Sequence, residues 1–173
     1  MRYLARRCLG GCARVPCGCL TMIRSLLIFP LVLIPSGGLR AQSVEQDIVE
    51  AARQACTDLD GGEFAASADA VTRVDLDGDS QADVLIDEAG FACSTSASLF
   101  SPSGGAQLHV IVSDRHTVWM AHAWKLVEWG GHTILLLAEH GTRCGGLGYD
   151  PCFEAIVWSE NGPRTVGGET GGN

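Results

Sequence analysis

From residue 70 onward the chain is a succession of short apolar runs with a period of two, joined by connections that leave room only for sharp reversals. The runs are Ala70 to Leu76, Asp83 to Ile86, Leu108 to Ser113, Thr117 to Glu128, His132 to Glu139 and Cys152 to Trp158. Alternation of this kind is the pattern of half-buried strands. Between them stand SPSGG (101–105), SDR (113–115), WGG (129–131) and SENGP (159–163), all of which favour turns. A parallel return needs a crossover of a dozen residues or more, so these connections force antiparallel neighbours.

One segment has a different period. In SVEQDIVEAARQACTDL, Val44, Ile48, Ala52, Ala55, Cys56 and Leu59 recur at three- and four-residue intervals. Ser43 and Gln46 form a capping-box start, and Gly61-Gly62 a stop. The expected fold is therefore α+β: one N-terminal amphipathic helix packed on an antiparallel meander of about five to six strands. Residues 42–165 would form a single domain, and the glycine-rich end, 166–173, would be disordered.

Charge divides the chain near residue 41. All twenty acidic residues follow that point, whereas six of the twelve basic ones precede it, so residues 42–173 carry a formal charge of −14 against −8 for the whole chain. Such a body repels nucleic acid and anionic membranes. Within the leader, MIRSLLIFPLVLIPSGGLRAQS has a basic start, an apolar core from Leu26 to Ile34, a Pro/Gly break and a small-residue exit. This is secretory signal anatomy, too short to span a bilayer, and it places a signal peptide at 22–41 with cleavage near Ala41. Residues 1–21 precede a complete signal with its own methionine, Met22, and read as an over-extended start. Cys8, Cys12, Cys17 and Cys19 in that segment lack the histidine or second spaced pair that a metal knuckle needs.

The exported part then holds four cysteines, Cys56, Cys93, Cys144 and Cys152, an even number for an oxidising compartment. Four cysteines allow three pairings. The tight loop GTRCGGLGYDPC favours a local Cys144–Cys152 bridge, which would leave Cys56 to tie the helix to the strand ending at Cys93.

The sharpest chemical feature is RVDLDGDSQADVLI, residues 73–86. Asp75, Asp77, Asp79 and Asp83 occupy positions one, three, five and nine of a loop, with the backbone carbonyl of Gln81 at seven. Carboxylates at this spacing converge as the backbone wraps around a hard cation that takes six to eight oxygens, which points to Ca²⁺ as a structural ion. Position twelve, where an EF-hand carries glutamate, is Ile86, and the flanks are strands. The pattern D-L-D-G-D-x-x-x-D between strands resembles the calcium loop of FG-GAP and VCBS-type repeats. It occurs here once, so the resemblance implies the loop and not a propeller. On a wider scale, the order of signal, helix with Cys56, DxDGDxxxD, Cys93, glycine-rich hairpin, HGTRCGGLGYDPC and final Trp strand is similar to small uncharacterised exported proteins of Gram-negative bacteria. Where such chains often read CGSGGC, this one has Ser101 and Ala106, and the resemblance implies a lost third bridge. It carries no activity.

Other groups point less sharply. His109, His116, His122, His132 and His140 show neither HxH nor HExxH spacing. On one strand over 117–128, His122 would share a face with Val118, Met120, Trp124 and Leu126. Trp119 and Trp124 would then lie on opposite faces and could not both enter one core layer; with Trp129 and Trp158 they could form a surface for a sugar or peptide, although core packing is the favoured reading of the four. There is no GxSxG motif, and the STSAS run at 94–98 lacks a nearby base. The chain reads as a periplasmic or secreted, calcium-stabilised, disulfide-bonded monomer. It would bind a protein or glycan of the cell envelope, with no nucleic-acid partner and no membrane insertion once the signal is removed. An alternative is an envelope hydrolase inhibitor or protein/glycan-binding module that uses the Cys144–Cys152 loop. A cryptic hydrolase is disfavoured, since it needs His140 beside a serine or carboxylate.

Overall fold

The computed structural model describes residues 36–165. The expected over-extended start, the apolar part of the signal and the 166–173 tail lie outside them. The described chain is mostly β with one helix. Helix α1 (Ser36–Asp58) is followed by β1 (Phe64–Ala66), β2 (Val71–Val74), β3 (Asp83–Asp87), β4 (Phe91–Cys93), β5 (Ala106–Val112) and β6 (Arg115–Ala121). Then come β7 (Ala123–Trp129), β8 (His132–Glu139), β9 (Cys152–Ser159) and β10 (Gly162–Thr165). Every pairing is antiparallel.

The strands form two four-stranded sheets, β2-β3-β5-β6 and β7-β8-β9-β10, and a short β1-β4 ladder. Alternation sorts the side chains of the first sheet into two cores. Val84, Ile86 and Ile111 pack with Ala52 and Cys56 of α1 and with Phe91 and Phe100. Leu85, Leu108 and Val110, on the other face, pack with Leu135, Leu137, Ile156 and Trp158 of the second sheet. The first sheet is thus covered on both sides, which explains why four consecutive residues of β3, Asp83 to Ile86, are buried. Burying each such leucine or isoleucine is worth about 1.5–3 kcal/mol.

Helix α1 ends where Asp60 and Gly61 take left-handed conformations (φ 53° and 70°) and the Gly61 amide donates back to the Thr57 carbonyl. Phe64, Phe91 and Phe100 meet edge to face beneath it, with centroids 5.2–5.8 Å apart. Among the described residues two disulfides are formed, Cys56–Cys93 between α1 and β4 and Cys144–Cys152 across the loop before β9. From sequence separations of 37 and 8 residues, loop-closure entropy assigns them about 4 and about 2.5 kcal/mol.

Several expectations need correction. The strands number ten among the described residues, because β1, β4 and β10 are too short to carry a visible period. SENGP ends in a strand, with Pro163 tolerated because β10 lies at a sheet edge. The helix begins at Ser36, before the Ser43 capping box, so Ser43 lies inside it. The expected single strand over 117–128 is two strands in different sheets, parted at His122, whose amide donates to the Ala138 carbonyl at 2.7 Å. The break shifts the alternation by one residue, so Trp119 and Trp124 both pack on the inter-sheet core. Val118 and Met120 instead stay exposed at 43% and 44%.

Candidate metal centre

The segment 75–82 joins β2 to β3, and the last β2 residue, Val74, pairs with Asp83. Its aspartates first serve the backbone. The two carboxylate oxygens of Asp75 accept from the amides of Gly78 (2.7 Å) and Ser80 (2.9 Å). Asp77 accepts from the Asp79 amide (3.2 Å) and Asp79 from the Gln81 amide (2.7 Å). Gly78 and Ser80 both take positive φ, 82° and 67°. The glycine does so at little cost, whereas Ser80 is a non-glycine residue held in the left-handed region.

The wrapping brings Asp75, Asp77 and Asp83 together, with one carboxylate oxygen from each lying within 4.8 Å of the others. Asp79 is not in that group. Its second oxygen accepts from the side-chain amide of Gln81 at 2.9 Å, so these two expected ligand residues face each other. Asp83 is 4% exposed. Its oxygens accept from the Leu76 amide (2.8 Å) and the Ser113 amide (3.3 Å). Burial lifts its pKa from 3.8 to about 6, with Asp77 and Asp79 pushing the same way and the two amides opposing. A buried carboxylate facing two others is chemically suited to a hard cation, which would relieve their repulsion and replace the lost hydration.

The loop sits between two cavities. One, about 450 Å³, is lined by Gln42, Arg73, Asp79, Asp83 and Asp114 among others. The other, about 380 Å³, lies between the loop and the β7–β8 hairpin and is lined by Asp75, Asp77, Glu128 and His132 among others. Thr133 Oγ1 donates across that gap to the Asp75 carbonyl at 3.1 Å.

The histidines form pairs that their sequence spacing did not suggest. His109 Nε2 lies 3.0 Å from Glu88 Oε1, and its Nδ1 lies 3.0 Å from His116 Nε2. Residues 109 and 116 are diagonal neighbours on one face of the β5–β6 hairpin, because Ile111 pairs with His116 and His109 with Val118. Reading the hairpin register from its two-residue Ser113-Asp114 turn could have found them. His109 uses both ring nitrogens in line, so the three groups form a relay rather than a converging ligand set. His122 and His140 lie with ring centroids 6.0 Å apart, and His140 Nδ1 pairs with Thr142 Oγ1 at 2.8 Å.

The loop carrying Cys144 is held by its own atoms. The Gly146 amide donates to the Gly141 carbonyl (3.0 Å), and the Leu147 amide donates to Asp150 Oδ2 (2.7 Å). Leu147 and Tyr149 remain 58% and 82% exposed. Among the described residues no helix is long and apolar enough to cross a membrane. No protein-family model, curated protein or solved structure matches the chain.

Proposed function

We propose that the chain is an exported binding protein whose β2–β3 loop holds a structural calcium ion, as in FG-GAP and VCBS-type loops. The observation that carries the metal reading is the buried carboxylate of Asp83 facing those of Asp75 and Asp77 within 4.8 Å. Asp79 and the Gln81 carbonyl would complete the oxygen set, after Asp79 exchanges its bonds to Gln81 for the ion. Two disulfides support an oxidising compartment, and hence the periplasmic or secreted reading of the leader. A helix packed on antiparallel sheets, with Cys56 locked to Cys93, supplies a rigid scaffold for a binding surface.

The test is a calorimetric titration of the purified protein with Ca²⁺ and Mg²⁺, paired with thermal melts in chelator. Calcium at ten times a dissociation constant stabilises by about 1.4 kcal/mol, which for a domain of this size raises Tm by roughly 5 °C. Asp75→Asn with Asp77→Asn abolishes the effect. A wild-type melt unchanged by millimolar calcium removes the metal from the account.

A second reading, that the Cys144–Cys152 loop is itself the contact surface of an inhibitor or a protein/glycan-binding module, has one specific observation in its favour. Leu147 and Tyr149 are exposed on a loop that its own hydrogen bonds and a disulfide hold in place. Such a loop binds without a large ordering cost. Replacing both residues with serine would then abolish co-purification of an envelope partner and leave the melting temperature unchanged.

A further inference from the structure

Among the described residues, the second sheet buries one face against the first and leaves the other uncovered. The register fixes which residues share the open face: Lys125, Leu136 and Ala155 stand in one row, and Val127, Ile134, Val157 and Arg164 in the next. Phe153 stands beyond them opposite Ala138, and Trp129 at the other end opposite His132. Phe153, Trp129 and Leu136 are 74%, 75% and 38% exposed. No aspartate or glutamate occupies this face among the described residues, although residues 42–173 hold twenty acidic side chains against six basic. Its only two formal charges are cations on opposite edge strands, Lys125 on β7 and Arg164 on β10. Three strand spacings separate those edges, about 14 Å, slightly more than the 10–12 Å diameter of a helix with its side chains.

We propose that this face docks an acidic amphipathic helix from a partner protein, its apolar stripe on Leu136, Ile134 and Val157 and its carboxylates flanking the stripe to meet Lys125 and Arg164. The same chain already covers the outer face of its first sheet in this way, with Val44, Ile48 and Ala52 of α1 packed on Val84 and Ile86. A second copy is a poorer occupant, since its matching face brings only cations to meet cations. This inference shares with the proposed function only the premise that the chain binds a partner. Calcium has no part in it, so the measurement is made in chelator as well as in calcium, and failure of either proposal leaves the other standing.

The probes are two labelled helical peptides of about 18 residues, long enough to hold helical structure, with leucines along one face. One carries glutamates beside the stripe and the other glutamines. Fluorescence anisotropy against the purified protein at physiological salt should give saturable binding, about tenfold tighter for the acidic peptide, as two partly exposed charge pairs would provide. The double substitution Lys125→Gln/Arg164→Gln should remove that difference, Lys125→Glu/Arg164→Glu should invert it in favour of the neutral peptide, and Phe153→Asp should weaken both peptides. All three positions are at or near the surface, and unchanged melting temperatures would confirm that the variants fold. Absence of saturable binding, or binding indifferent to these substitutions, overturns the proposal. So does capture by phosphatidylglycerol vesicles in place of the peptide, or a dimer in sedimentation that Phe153→Asp dissociates.

Discussion

Asp83 unites the cost and the use of the candidate site in one side chain. Its proton is held up to about pH 6 by burial, whereas in the unfolded chain the same carboxyl ionises near 3.8. Between those values the folded state binds more protons, so metal-free stability falls as pH rises through that window, by about 3 kcal/mol in all. Chemical denaturation in chelator from pH 4 to 7 should record this fall, and Asp83→Asn should flatten it. Calcium would reverse the sign, because the ion favours the charged form, and its affinity should weaken below about pH 6. His116 acts oppositely: burial, and then the neighbouring His109, hold its pKa below 6.5. The unfolded chain then binds more protons, so stability is lost as pH falls below that value, and His116→Gln should remove the loss. The aspartate spacing was visible in the sequence because the carboxylates that converge on the β2–β3 loop are local in the chain. The Glu88–His109–His116 relay was not, since it depends on hairpin register and on a turn 21 residues away.

Strands with strong alternation were legible almost to their ends: His132 to Glu139 is β8 without change, and Cys152 to Trp158 lacks only Ser159 of β9. The corner at His122 escaped, because twelve residues of uninterrupted β propensity carry no glycine or proline where the chain changes sheets. The signal lies elsewhere, in Gly105 of the preceding turn. Gly105 has φ 107°, and a Cβ there would come within 2.8 Å of the carbonyl carbon and oxygen of Ala121, the last residue of β6. A glycine is thus required where β5 begins so that β6 can end beside it. Gly105→Ala should cost about 1–3 kcal/mol, readable as a lower urea midpoint. Trp124 depends on the same corner: its indole N–H donates to Asp87 at 2.8 Å, joining the second sheet to the end of β3. Trp124→Phe should cost about 1–2 kcal/mol by leaving Asp87 Oδ2 without its donor, the other oxygen keeping the Ala89 amide.

The two disulfides divide their labour by reach. Cys56–Cys93 joins the helix to the β1–β4 region, whereas Cys144–Cys152 closes only the loop ahead of β9. Replacing Cys56 and Cys93 together with serine should lower stability by about 4 kcal/mol, and the Cys144/Cys152 double substitution by about 2.5, measured by guanidinium denaturation without reductant. The expected single meander proved to be two because antiparallel pairing is local while the stacking of one sheet on another is not. Leu76 bears on what the aspartate loop can do alone. It stands between Asp75 and Asp77, is 4% exposed, and belongs to the inter-sheet core with Leu135 and Ile156. Swinging the loop open at its Asp75–Leu76 end would pull this side chain from between the sheets. Hydrogen exchange at the Leu76 amide should therefore proceed through the same rare openings as β8, and occupancy of the loop should slow both by one common factor.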